Sequence, residues 1–457
     1  MSISQSIFKA YDIRGIVEQD LTPDTVKLIG LAIGSESITK GERGVVVGRD
    51  GRLSGLELMD ALKAGLKQSG CHVVDIGMVP TPLVYYGTYT KAATSGVMIT
   101  GSHNPPEYNG FKIVIAGETL SGERIQELYQ RIKNNDFNSG HGTSTKVDIE
   151  QDYIDQIKSD IKLDKPLNIV VDCGNGVAGN IAPKLFEQLG ANVTKLFCLI
   201  DGSFPNHHPD PSKLHNLEDI IKEVKDTGAD MGFAFDGDGD RLGLIDNKGN
   251  VIWADRQMIL YSRDILSRNP GAKIVFDVKC SSLLPKDILE HGGEAIMSRT
   301  GHSFIKAKLK ETGAALGGEM SGHIFFKERW YGFDDALYTG ARLLEILSKT
   351  NKTCEQVFAD LPDSINTPEI NIHFDEQGQQ FDAMDKLAQN VDFPNADITT
   401  IDGVRVDYPN GWGLVRPSNT TPCLVLRFEA DNQQTLEEIQ TKFRTWLENN
   451  DISTKDF

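Results

Sequence analysis

No stretch of this chain approaches the ~18 consecutive apolar residues that span a bilayer, so no membrane helix is expected. Met1 to Gly15 has no apolar core of signal-peptide length, which makes a cytoplasmic location the expectation. The cysteines Cys71, Cys173, Cys198, Cys280, Cys354 and Cys423 never form a CxxC pair. That argues against a structural zinc site and a disulfide framework, and leaves buried or half-buried free thiols. Positive charge is also scarce: 47 Lys and Arg against 65 Asp and Glu give a net charge of −18. So acidic a surface repels a phosphate backbone, and nucleic acid is not an expected partner. A small anionic substrate requires Arg, Lys and His to cluster locally against the overall field.

What is present points to repeated α/β units. The 457 residues suggest about three domains, or four. One strand–loop–helix–strand pattern occurs three times. It runs from Gly44-Val-Val-Val-Gly48 through Arg49-Asp50-Gly51-Arg52, a helix to Ser69, Gly70 and His72–Ile76. It recurs from Asn168–Asp172 through Cys173–Gly176, a helix to Leu189, Gly190 and a strand near Val193. The third copy runs from Lys273–Asp277 through Lys279–Ser282, a helix to Glu290, Gly292-Gly293 and a strand near Ala295. Short continuous apolar runs of this kind suit parallel strands covered on both faces. Duplication explains the matched glycine stops; coincidence of common βαβ patterns is the alternative. Asn134 to Lys146 reads as a linker, Asn247–Asn250 as a turn near a boundary, and Leu361–Pro368 as a separator. Beyond it, alternating Ile370, Ile372 and Phe374 and an amphipathic helix from about Thr435 to Asn449 predict a small α+β domain. The expected units are 1–147, 148–250, 251–362 and 363–457.

Five motifs bear on chemistry. Thr100-Gly-Ser-His-Asn-Pro105 follows an apolar strand and places Ser102 on a stiff turn offering N–H groups to an anion. Taken alone, it better suits a turn serine bonded to its own backbone. Asp236-Gly-Asp-Gly-Asp-Arg241 spaces three carboxylates so that they converge on one hard cation. An EF-hand fails, because Arg241 and Asn247 stand where Gly and Glu are needed. Three carboxylates leave coordination open for a phosphate oxygen, which favours Mg²⁺. Gly174-Asn-Gly-Val-Ala-Gly179 is a GxGxxG in dinucleotide-binding context. Asp172 would face the pyrophosphate, however, and no strand ends in an acid at the required distance, so the glycines read as shape. Gly317-Gly-Glu-Met-Ser-Gly-His323 presents Glu319 and Ser321 to vicinal sugar hydroxyls and His323 to phosphate or a proton. An ordinary polar loop fits it equally. Arg416-Pro-Ser-Asn-Thr-Thr421 sets a guanidinium before hydroxyl and amide donors, as a phosphate cup or a capped turn.

In this order, these motifs resemble the α-D-phosphohexomutase superfamily, bacterial phosphomannomutase/phosphoglucomutase branch. Lys9–Gly15, Asn109-Gly-Phe-Lys112 and Phe204–Pro211 extend the resemblance over essentially the whole chain. It implies four domains around a central cleft, the first three sharing a topology. It implies Ser102 as a phosphoserine, and Asp236, Asp238 and Asp240 holding one Mg²⁺ with a phosphoserine oxygen. Glu319 and Ser321 would read the sugar, and Arg416, Ser418, Asn419 and Thr420 would hold the phosphate not in transfer. Tyr11, Arg14, His103, Lys112, Arg241, Lys279, His302 and His323 would line the cleft; His207 and His208 read as a loop feature. The implied reaction interconverts mannose or glucose 1-phosphate and 6-phosphate through a hexose 1,6-bisphosphate, with Arg241 neutralising charge and Lys112 or His323 moving a proton. A monomer is expected, with a dimer as the alternative. Met320 leans towards mannose and glucose; phosphoglucosamine mutase is the runner-up, and nicotinamide binding at Gly174–Gly179 or a Ca²⁺-binding scaffold the rivals.

Overall fold

A computed structural model describes residues 3–457 except 92, 377, 420 and 456. Its strands form four sheets, and three of them repeat one plan. In the first, Gly44–Arg49 is flanked by parallel His72–Met78 and parallel Ser95–Ile99, and Tyr108–Ile115 follows antiparallel. In the second, Asn168–Asp172 lies between Asn192–Leu196 and Met231–Phe235, with Leu242–Asp246 antiparallel beyond. In the third, Lys273–Asp277 lies between Glu294–Ser298 and Leu316–Gly318, with Ile324–Phe326 antiparallel beyond. The duplication expected from sequence is therefore a shared topology. The fourth sheet is antiparallel, in the order Ile365–Asn366, Cys423–Ala430, Gly411–Pro417, Val404–Tyr408, Asp397–Thr399, with Ile370–His373 also on Cys423–Ala430.

Local chemistry explains these elements. Val45, Val46 and Val47 are fully buried, as are Val170 and Val171, because helices cover both faces of parallel strands. Helices Gly55–Ser69 and Ala182–Leu189 both stop at a glycine with φ 103°, Gly70 and Gly190, a left-handed cap that a side chain disfavours. Helix Gln433–Asn449 starts where Asn432 accepts the Thr435 N–H at 2.9 Å. It buries Leu436, Ile439, Phe443 and Leu447, one face at helical spacing, on the fourth sheet.

One segment differs from expectation. The stretch 134–146 is not a free linker: Ser144–Lys146 pairs in parallel with Val73–Asp75. Before it, the Gly140 and Gly142 amides donate to Gln68 and Lys67 carbonyls at 2.9 and 2.8 Å. Those carbonyls lie in the last turn of the helix Gly55–Ser69; the Lys67 carbonyl also accepts the Gly70 amide at 3.0 Å.

The fourth unit grips the third through buried charge. Arg405 Nη1 donates to the Val278 and Cys280 carbonyls at 2.6 and 2.8 Å, and its guanidinium stacks 3.8 Å from the ring centre of buried Trp412. Arg427 donates to the Lys279 carbonyl and, at 3.2 Å, to Asp255. Glu429 accepts from the Ser282 amide and hydroxyl at 3.1 and 3.0 Å. The loop 278–282 thus belongs to the third sheet in sequence and to the fourth in its hydrogen bonding. Arg427→Met strands the buried Asp255 carboxylate and is expected to lower stability by about 3–5 kcal/mol. Adding Asp255→Asn should recover part of that loss, and urea unfolding of both variants measures it.

Candidate active site

In all three related units, one turn carries the functional motif: the turn from the third strand to the antiparallel fourth. It joins Ser95–Ile99 to Tyr108–Ile115 around Ser102, and Met231–Phe235 to Leu242–Asp246 around Asp236–Arg241. In the third unit it joins Leu316–Gly318 to Ile324–Phe326 around Glu319–His323. Ser418 and Asn419 sit on the fourth sheet's turn between Gly411–Pro417 and Cys423–Ala430. The four turns face one cavity of about 1100 Å³. Tyr11, Arg14, Ser102, His103, Lys112, Arg241, Lys279, His302, Glu319, Ser321, His323, Arg416, Ser418 and Asn419 all line it. Thr420 lies outside the described residues.

Ser102 is buried, with φ 50°. Its amide donates to Thr100 Oγ1 at 2.7 Å. Its hydroxyl lies 3.2 Å from both Asp236 Oδ2 and His103 Nδ1. Arg14 reaches Asn104 of the same loop and is held from behind by Asp12, at 2.5 Å. His208, one of the two loop histidines, donates from Nε2 to the His103 carbonyl and so braces the serine turn from the second unit.

Asp236, Asp238 and Asp240 are buried, with ligand oxygens within 4.8 Å of one another. The turn is tightened by the Asp240 and Arg241 amides, which donate to Asp236 Oδ1 at 3.1 and 3.2 Å. Burial, and then Asp238 and Asp240, push the Asp236 carboxyl well above the ordinary carboxylate range. Burial also pushes Asp238 up, but the Lys112 ammonium outweighs it and the net shift is downward. Lys112 contacts Asp238 at 2.7 Å and also Asp240; burial lowers its pKa, the two carboxylates raise it more, and it stays charged. Asp238 Oδ1 and Asp240 Oδ1 are buried without a hydrogen-bond partner among the described residues. Buried carboxylate oxygens without hydrogen-bond partners fit a hard divalent cation.

The glycines of Gly174–Gly179 are shape, as expected. A Cβ on Gly176 would meet the Gly237 backbone, and one on Gly179 the Cys198 carbonyl. The Val177 amide donates to the Gly237 carbonyl at 3.1 Å, so this turn is a bed for the acidic loop and has no room for a pyrophosphate. Asp172 accepts from the Gly174 amide at 2.9 Å and lies 3.0 Å from His207 Nε2.

The Glu319–His323 loop is equally fixed. Glu319 accepts from the Gly301 amide, and burial raises its carboxyl, partly offset by His323. Arg241 Nε donates to His323 Nε2 at 3.0 Å, which leaves Nδ1 to carry the proton facing Asp334 at 3.2 Å. Asp334 also meets Lys306 at 2.9 Å and His302 at 3.7 Å. Burial holds both His103 and His302 well below the usual imidazole range, with Arg241 assisting at His103 and Lys306 at His302, so both are neutral. Sequence reasoning missed Asp334, Thr81, which donates to Asp238 at 2.5 Å, and Glu369; none sits in a recognisable motif.

Glu369 spans two units, meeting Lys279 at 2.7 Å, while Asp402 holds Arg416 Nε at 3.0 Å. The Lys279 ammonium pulls the Glu369 carboxyl down to about 2 from an ordinary 4.5. A carboxyl depressed on folding adds stability above its unfolded pKa, and that stability is lost as pH falls through the folded value. Between about pH 4.5 and 2, the wild type should therefore lose Tm more steeply than Glu369→Gln, as scanning calorimetry of the pair would measure.

Models of phosphoglucomutase/phosphomannomutase domains match the chain in order: α/β/α domain I at residues 5–139, II at 151–249, III at 253–365, and the C-terminal domain at 369–445. A Pseudomonas putida phosphomannomutase/phosphoglucomutase is 58% identical over 98% of this chain and 96% of its own length. A Neisseria gonorrhoeae phosphoglucomutase is 54% identical over 98% of each chain. The crystal structure of a Burkholderia thailandensis phosphoglucomutase/phosphomannomutase family protein superposes with a TM-score of 0.95 at 50% identity, covering both chains fully. Four domain matches in sequence order, and relatives matched from end to end, agree with the three repeated turns and the antiparallel fourth sheet: this chain belongs to the phosphoglucomutase/phosphomannomutase family.

Proposed function

We propose that this protein reversibly interconverts hexose 1-phosphates and 6-phosphates of mannose, glucose or both, with Ser102 carrying the phosphoryl group. The observation that carries this reading is the placement of the Ser102 hydroxyl 3.2 Å from Asp236, on a cavity that Glu319, Ser321, Arg416 and Ser418 also line. Asp236, Asp238, Asp240 and an oxygen on Ser102 would hold one Mg²⁺. When bound, it would supply Lewis-acid neutralisation of the transferring phosphoryl oxygens.

The chain's own groups do the rest. Ser102 Oγ gives up its phosphoryl group to the sugar 6-hydroxyl: the phosphorus–Oγ bond breaks as the phosphorus–O6 bond forms. The 6-hydroxyl proton leaves to restore the serine hydroxyl, and His103 Nδ1, 3.2 Å from Oγ, is within reach of it. Lys112 and His323 are the other candidates for moving it. Arg241 sets its charge beside Asp236 at 3.7 Å, where phosphoryl charge develops. Glu319 and Ser321 orient the hydroxyls, while Arg416, Ser418, Asn419 and Thr420 hold the second phosphate. The 1,6-bisphosphate turns round, and its 1-phosphate returns to Ser102. Both orientations use one site, so phosphate recognition dominates over sugar recognition.

The glucosamine and nicotinamide alternatives gain no support from the named relatives or from the crowded Gly174–Gly179 turn. We take the units to be 1–147, 148–250, 251–362 and 363–457, in a cytoplasmic monomer. No helix among the described residues is long and apolar enough to cross a membrane.

Intact mass of the purified protein should show a partly occupied adduct of about 80 Da that maps to Ser102. Ser102→Ala should lose turnover by about 10⁴-fold or more while keeping the wild-type Tm. Near wild-type turnover in that variant sinks the proposal. Chelation by EDTA should abolish hexose-phosphate conversion and added Mg²⁺ restore it; full activity in excess chelator removes the metal from the reading.

A further inference from the structure

Arg52 contributes nothing to the cavity wall, yet its guanidinium is the centre on which the Ser102 turn is built. The side chain is 1% exposed and every N–H is used. Nε donates to Asp50 Oδ2 at 3.2 Å. Nη1 donates to the carbonyls of Pro105 at 2.6 Å and Tyr108 at 2.9 Å. Nη2 donates to those of Ser102 at 2.9 Å and Asn104 at 2.6 Å. Four donors thus tie four carbonyls of one turn to one rigid plane, and the fifth holds Asp50. The Phe204 ring, from the second unit, packs 5.3 Å from the guanidinium carbon.

Two further features are arranged around this group. Gly101 has no side chain where a Cβ would run into the guanidinium itself. Asp50, paired with Arg52, also accepts from Thr100 Oγ1 at 2.7 Å and the Gly101 amide at 3.2 Å. Thr100 Oγ1 in turn accepts the Ser102 amide. Ser102 sits at φ 50°, a left-handed backbone that a side chain disfavours and that persists only where its surroundings over-determine it. The Asp50–Thr100 chain fixes the amide side of Ser102, and Arg52 fixes the carbonyl side.

We propose that Arg52 is the positioning residue for Ser102, holding the reacting hydroxyl at Asp236 through the backbone without touching substrate. The inference rests on Ser102 being the phosphoryl carrier. A lysine keeps the charge but offers three donors from one point, and cannot span four carbonyls in a plane. A merely stabilising arginine would tolerate that exchange once the protein is folded.

The test is Arg52→Lys, assayed at a temperature where it is folded. Turnover should fall about a hundredfold with KM changed less than about threefold, the pattern of a misplaced reacting group. Amide exchange should quicken at residues 101–108 but not elsewhere. Methylguanidinium added to Arg52→Gly should raise kcat about tenfold or more, which a change in stability alone does not produce. If Arg52→Lys does not fold, Gly101→Ala, which drives a Cβ into the guanidinium, should give the same kcat and KM pattern. A kcat within about twofold of wild type in whichever variant folds overturns the proposal, as does unchanged exchange at 101–108. Absence of hexose-phosphate conversion and of a Ser102 adduct in the wild type would instead overturn the functional reading, and the exchange at 101–108 would still decide the role of Arg52.

Discussion

Three carboxylates shut away from water within 4.8 Å of one another cannot all stay ionised without compensating charge. In a chain of net charge −18, that compensation must be brought in deliberately. Lys112 arrives from the first unit to lie between Asp238 and Asp240, and Arg241 stands beside Asp236. The contact that balances the acidic loop is therefore also one of those that dock the first unit on the second. Removing one member leaves a buried unpaired charge, far costlier than losing a surface pair. Placement of the serine turn and electrostatics of the acidic turn are one problem, and Lys112 takes part in both.

The same economy runs through the other turns. Each is stiffened by backbone hydrogen bonding that its neighbours supply: Gly237 by Val177, His103 by His208, Leu242 by Gly322 at 3.3 Å. Arg241 and His323 also pair as an isolated antiparallel bridge, so the second and third turns share backbone as well as side-chain contact. A site made of four loops gains from this bracing, because loops left to themselves are the mobile parts of a fold.

Much of this was legible in the sequence because duplication repeats both strands and stops. Gly70 and Gly190 could be read as helix ends, and the apolar runs at Val45 and Val170 as covered parallel strands. The acidic spacing at Asp236, Asp238 and Asp240 put three carboxylates on one turn, and the structure brings their oxygens within 4.8 Å of one another. Asp334, Thr81 and Glu369 were not legible, because Asp334 meets Lys306 28 positions away, Thr81 meets Asp238 157 away and Glu369 meets Lys279 90 away, through pairings that only packing creates. The stretch 134–146 lies at the boundary between the first two family domains, and it is also paired in part. Its Gly, Asn and Ser content suits a linker, but the same small residues let its backbone lie against the end of a helix.

Interaction between the third and fourth units bears on how a bisphosphate could turn round inside the cleft. Room for that motion would come most simply from movement of the fourth unit. Yet Arg405, Arg427 and Glu429 hold the loop 278–282 with charged groups that are almost wholly buried. Breaking this contact would expose or strand those charges at several kcal/mol each. The Glu369–Lys279 pair is different, because Glu369 is 32% exposed and reaches Lys279 from the cavity side. An incoming phosphate offers Lys279 the same chemistry as that carboxylate, so exchange of one for the other costs little. Movement that keeps the buried clamp and loosens the cavity-side pair is the low-energy route, and it leaves Lys279 fixed by its backbone while its side chain changes partner.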